Sequence, residues 1–176
     1  MANGGDLQRA LQDMGASRIK LDTIMRQLRA KGLLAKDGHG LAAHRLTVGE
    51  FATVLIAYAG SSKAVRAVDR FNLLASLRSQ TDGRTLLKAV QDLLEISADA
   101  AEEFELRVSR TSSRAILDFA NGSIEIFQSD TLAADGQLVR SEGIVDGRAI
   151  HKLAALASSR SPVRRKKRAL PLRKSA

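Results

Sequence analysis

Apolar positions keep a helical period through the first half of the chain and switch to strict alternation near residue 104. Leu7, Leu11 and Met14 predict a short helix over 6–14, with Asp6 as its cap and Gly15 as its stop. Leu21, Ile24, Met25 and Leu28 fall at i, i+3, i+4 and i+7, one buried stripe on a second helix over 17–31. Ser17 caps that helix and Gly32 closes it, which leaves Arg18, Lys20, Thr23, Gln27 and Lys31 on the opposite surface. Short apolar pieces around Asp37-Gly38 predict a small hairpin that ends near Arg45-Leu46. Thr47-Val48-Gly49-Glu50 reads as a capping box for a third helix through Ala59, apolar nearly all round and so expected at the centre of the core. Further helices are expected over 63–79, burying Val65, Val68, Phe71 and Leu74, and over 84–96, capped by Asp82.

In the second half, Phe104, Leu106 and Val108 alternate with Glu105, Arg107 and Ser109, and Ala115, Leu117 and Phe119 lead to Asn121-Gly122. Asn-Gly favours a two-residue hairpin turn, which would pair Phe119 with Ile124 and Leu117 with Ile126. A turn at Ser112-Ser113 would set Leu106 beside Phe119 and Val108 beside Leu117. One face of this three-stranded meander is then apolar, and the other lines up Arg107, Asp118 and Glu125. Residues 129–145 carry a weak pattern with a short strand at Leu138 to Arg140, and Asp146 caps a last helix bearing Ile150, Leu153 and Leu156. The expected class is α+β and mainly helical, divided into units over 6–60, 61–97 and 98–158 and a disordered tail, 159–176.

Charge sharpens this division. The last eighteen residues hold eight of the 28 basic residues and none of the 19 acidic ones, which leaves 20 basic against 19 acidic in the body. Arg164, Arg165, Lys166, Lys167 and Arg168 form the densest run, and such a run without apolar periodicity seeks polyanions rather than a core. With aromatics at 3%, the core must be aliphatic, and stacking platforms for single strands are missing, so duplex DNA is the favoured polyanion. An acidic protein partner is a further reading of the tail, and a membrane comes last, because the large apolar residues of an inserting helix are absent. No cysteine, no secretory pattern at the start and no long apolar run are present, and a soluble cytoplasmic protein is expected.

Catalytic chemistry finds little support. Asp118 and Glu125 read as a solvated sheet face with Arg107 rather than as a two-carboxylate site. Asp99, Glu102, Glu103 and Glu105 lack ligand spacing, and His39, His44 and His151 stand apart. No enzyme activity, cofactor or metal is expected.

Residues 7–59 run as helix, turn, basic helix, Gly-rich hairpin and helix. The stretch Met25-Arg26-Gln27-Leu28-Arg29-Ala30-Lys31-Gly32-Leu33-Leu34, then Lys36-Asp37-Gly38-His39-Gly40 and His44-Arg45-Leu46-Thr47, resembles MerR-type winged-helix DNA-binding proteins. The resemblance implies that Arg18, Lys20, Thr23 and Gln27 face the major groove, with Lys31 at the end of that helix. It places Lys36, His39, His44 and Arg45 on or beside a wing. The function expected is a sequence-specific duplex-DNA-binding transcriptional regulator, homo-oligomeric, with wing and tail on phosphates. Two alternatives stand beside it: a phage-type packaging subunit resembling a small terminase, and an interaction module with an electrostatic tail.

Overall fold

A computed structural model describes residues 2–35, 44–95, 104–129 and 141–158. Helix α1 (Gly4–Asp13) begins earlier than its apolar pattern predicts, because Asn3 rather than Asp6 is the cap. Asn3 Oδ1 accepts from the Asp6 N–H at 3.0 Å and Asp6 Oδ2 accepts from the Asn3 N–H at 3.1 Å, a reciprocal capping box. Helix α2 (Arg18–Ala30) follows its predicted Ser17 cap and buries Leu21, Ile24, Met25 and Leu28. Helix α3 (Val48–Gly60) starts on the Thr47–Glu50 box and is buried without interruption from Phe51 to Ala57.

The helix expected over 63–79 is a composite. Residues Ala64–Arg66 form a 3-10 turn, α4 spans Ala67–Ala75, and the chain then extends into strand β1 (Arg78–Ser79). The tighter turn takes Val65 out of phase with Val68, Phe71 and Leu74, so Val65, expected inside, is 68% exposed. Helix α5 (Leu86–Glu95) is capped by Thr85, whose Oγ1 accepts from the Lys88 N–H at 3.2 Å. Asp82, the predicted cap, instead accepts from the Arg84 N–H at 3.0 Å in the preceding turn.

The molecule is α+β, and its sheet has five antiparallel strands in the order β1-β4-β3-β2-β5. The alternating segments become β2 (Phe104–Ser109), β3 (Arg114–Phe119) and β4 (Ile124–Gln128); β5 (Glu142–Asp146) lies just beyond the strand predicted at 138–140, which falls outside the described residues. The hairpin register differs from the expected one. Phe119 closes on Ser123 across a three-residue loop, with Gly122 in the left-handed region (φ +81°) and its N–H on the Phe119 carbonyl. Leu117 therefore faces Glu125, and Asp118 faces Ile124. A slip of one residue exchanges the faces of a strand, so Glu125 points inward and Ile124 outward. The β2–β3 turn is likewise longer than two residues, which pairs Leu106 with Leu117 and keeps both on the inner face.

Glu125, only 8% exposed, is tolerated inside because Arg84 holds both of its oxygens. That hydrogen bonding, followed by the nearby charges, raises the Arg84 pKa. Arg107 keeps its predicted neighbour Asp118, at 3.5 Å, and adds Glu105, but Glu125 is not in that row. Helices α3 and α6 (Gly147–Ser158) cover the inner face of β2 and β5, and α1 packs on α6. One apolar cluster runs from Ala2 to Ala157, so the units expected over 6–60, 61–97 and 98–158 share a single core. Among the described residues no helix is long and apolar enough to cross a membrane.

Candidate nucleic-acid interface

Helical geometry fixes which residues of α2 look outward. At about 100° per residue, the direction opposite the buried stripe falls on Ile19, Arg26 and Ala30, with Thr23 beside them and Lys20 and Gln27 on a flank. Exposure follows this arithmetic: Ile19 is 81% exposed, and Arg18, Asp22, Arg26 and Ala30 are open to solvent. Thr23 is half-buried and its hydroxyl donates to the Ile19 carbonyl at 2.9 Å. Gln27 Oε1 is buried with no hydrogen-bond partner among the described residues.

Lys20 is turned into the molecule. Its ammonium donates to the carbonyls of Tyr58 at 3.1 Å and Ser61 at 2.6 Å, and lies 4.3 Å from the centre of the Tyr58 ring. Burial, then the charge of Arg110, pushes the Lys20 pKa down. The Tyr58 hydroxyl accepts from the Ser17 N–H at 3.0 Å, so the start of α2 is pinned to the end of α3 twice.

The end of α3 explains the arrangement. A helix leaves its last four carbonyls without intrahelical donors, and here they are deep in the protein. Ser61 Oγ donates to Ala57 O at 2.6 Å, Lys20 to Tyr58 O, Arg110 Nε to Ala59 O at 3.2 Å, and Arg70 Nε to Gly60 O at 3.3 Å. Arg70 also reaches the carbonyls of Ser109 and Ser112, at 2.7 and 3.0 Å, and its burial lowers its pKa. Each orphan carbonyl has a donor, and three donors are cations attracted by the negative end of the helix dipole. Strand β5 crosses close beside this end. A Cβ on Gly143 would run into the Ala59 carbonyl oxygen, so only glycine fits there.

At the other end of α3, Glu50 gathers the flanks of the segment expected to form the wing. Its carboxylate accepts from the Ala35 N–H at 2.8 Å and the Thr47 N–H at 2.8 Å, and lies 3.1 Å from His44 Nε2. Burial alone would raise its pKa, but the bonds from Ala35, Thr47 and His44 outweigh it and lower the pKa. Residues 36–43 themselves, with Lys36 and His39, lie outside the described residues, as do Arg164, Arg165, Lys166, Lys167 and Arg168. Arg45 is exposed and its backbone bridges to Asn3.

Of the expected contact residues, Arg18, Lys31 and Arg45 are thus open, His44 faces Glu50, and Lys20 and Gln27 are drawn inward. The structure adds a group that spacing within α2 does not reveal. The 3-10 turn packs against α2, and its Lys63, Val65 and Arg66 are exposed, as are Arg18 and Ile19 on α2. Arg18, Arg26, Lys63 and Arg66 have no ion-pair partner among the described residues. No protein-family model matches this chain, and no curated protein and no solved structure does either.

Proposed function

We propose that this chain is a sequence-specific duplex-DNA-binding protein, of the transcriptional-regulator kind, that docks through the outer face of α2 and the adjoining 3-10 turn. The observation that carries the reading is the set of exposed cations on α2 and on the turn packed against it, Arg18, Lys63 and Arg66, without an ion-pair partner among the described residues, together with exposed Ile19 and Val65. An Arg fork pairs with a guanine edge and apolar groups meet thymine methyls, so Arg26 reads bases alongside Ile19 and Thr23. Arg18, Lys31, Arg45, Lys63 and Arg66 take phosphates, and so does the basic tail. Segment 36–43 acts as the wing, a reading supported by Glu50 drawing its two flanks together. Lys20 and Gln27 have no base to read and serve packing.

Selection from random duplex DNA, followed by binding titrations in salt, tests this. Arg26→Ala is expected to cost about 1–3 kcal/mol on the selected site and to relax its sequence preference. The Lys63→Ala/Arg66→Ala pair is expected to weaken all duplexes alike and to flatten the salt slope by roughly 0.9 per lost phosphate contact. Unchanged affinity in both variants would sink the reading.

The outer face of the sheet favours a second element, self-assembly through a packed copy of the chain. Ile144, Arg107, Ile116 and Ile126 form one row across β5, β2, β3 and β4, with exposed Ile124 beside it. Asp118 and Arg114 lie on β3 on either side of Ile116, so a two-fold stack that runs the two β3 strands antiparallel sets each acid against the other copy's base. Light scattering on the full chain checks it: a multimer that Ile144→Asp dissociates is expected, and a monomer at all concentrations rules it out.

A further inference from the structure

A cleft of about 320 Å³ opens where the α1–α2 turn, the end of α3, β5 and the first turn of α6 meet. This is within the lower part of the range of about 300–1,000 Å³ in which small-molecule sites fall. Its walls are largely apolar, from Leu11, Met14, Leu55, Tyr58, Val145 and Ala149. Two ionisable residues other than Tyr58 line it, Arg110 and Asp146. Asp146 already accepts from the Arg148 N–H at 2.8 Å at the start of α6.

Arg110 is differently placed. Its Nε is fixed on the Ala59 carbonyl, which sets the plane of the guanidinium. Its terminal amino groups have no hydrogen-bond or ion-pair partner among the described residues. Lys20 and Arg70 hold neighbouring carbonyls at the same helix end, also without a carboxylate in ion-pair reach among the described residues. A helix end offsets only about half an elementary charge, so three cations leave this corner positive. Burial first, and then the Arg110 charge, lowers the Lys20 pKa at this corner.

We infer that this cleft binds a small organic carboxylate with an apolar body, its head on the free fork of Arg110 and its body along Leu55, Tyr58 and Val145. A planar guanidinium with one edge spent and the other open matches a carboxylate's two oxygens. The apolar walls favour a hydrocarbon body over a bare inorganic anion.

Octanoate, octanol and octylamine are the probes, titrated calorimetrically into the full chain without DNA, so the outcome does not depend on the DNA-binding reading. Octanoate is expected to bind saturably at one site, octanol roughly tenfold more weakly for want of the charged hydrogen bonds, and octylamine not measurably. Arg110→Gln leaves every tail charge in place and should lose the preference for octanoate over octanol. Should that variant fail to fold, Ala149→Phe fills the cleft without touching Arg110 and should abolish octanoate binding. Absence of saturable binding, equal affinity for octanoate and octanol, or undiminished binding by either folded variant overturns the inference.

Discussion

At its first turn α3 is held by one carboxylate, Glu50, whose partners come from Thr47, Ala35 and His44; at its last turn it is held by three cations, from α2, α4 and the β2–β3 loop. The signs follow from the helix dipole, positive where the free N–H groups lie and negative where the free carbonyls lie. The reach of the two devices differs more than their sign. Glu50 works within fifteen residues of itself, whereas Lys20 and Arg110 reach the end of α3 from 38 and 51 residues away, and Arg70, ten residues from Gly60, also ties in Ser109, 39 residues on. The last carbonyls of this apolar helix thus take their charged donors from other elements of the fold. The C-terminal end is where the N-terminal helices, α4 and the sheet are tied into one unit.

The sharpest way to break that end is to deny β5 its place. Gly143→Ala puts a methyl group into the space of the Ala59 carbonyl, backbone against backbone, with no flexible side chain to give way. Overpacking of this kind costs about 3 kcal/mol, so urea unfolding should show a midpoint far below that of the parent. A midpoint shift equivalent to less than about 1 kcal/mol would mean that β5 stands further from α3 than described.

Removing a donor is the next test, with a smaller effect. Arg70→Met keeps the aliphatic stem but strips three carbonyls, those of Gly60, Ser109 and Ser112, of their shared partner. A loss of about 2 kcal/mol is expected, since hydrogen bonds to a charged group outweigh neutral ones and the orphaned acceptors are shielded. If unfolding moves by less than about 0.5 kcal/mol, water rather than Arg70 satisfies the end of α3, and the two ends differ less than their partners suggest.

The same contrast explains how much of the molecule can be read from residue order. Thr47-Val48-Gly49-Glu50 announces itself because both partners of a capping box lie within one turn. The buried stripe of α2 and the alternation of β2 and β3 are likewise local, and both appear in the fold. What local pattern cannot supply is the third dimension. Lys20 and Gln27 share the polar side of α2 with Arg26, but only the position of α3 decides that Lys20 folds back onto Tyr58 and Ser61. Glu125 is misplaced for a similar reason. Asn-Gly serves two- and three-residue loops alike, and Arg84, the residue that makes an inward carboxylate affordable, lies 41 positions away.

The N-terminal end carries the smallest expected effect and the one that depends on pH. Glu50→Gln preserves shape and one acceptor but loses the charge that binds Ala35, Thr47 and His44, a change worth about 1 kcal/mol at neutral pH by comparison with other caps. Because the folded state lowers the Glu50 pKa below its ordinary value of 4.5, the contribution is fully present above that value. It is lost as pH falls through the folded pKa, where the native carboxylate takes up its proton. Melting curves of parent and variant should therefore lie apart near neutrality and converge in acid. Hydrogen exchange at the Ala35 N–H adds a local reading, since that amide should lose protection in the variant while those in the middle of α3 keep theirs. Melting curves separated by the same amount at every pH would show that Glu50 acts by packing alone, and the two ends of α3 would then no longer be electrostatic counterparts.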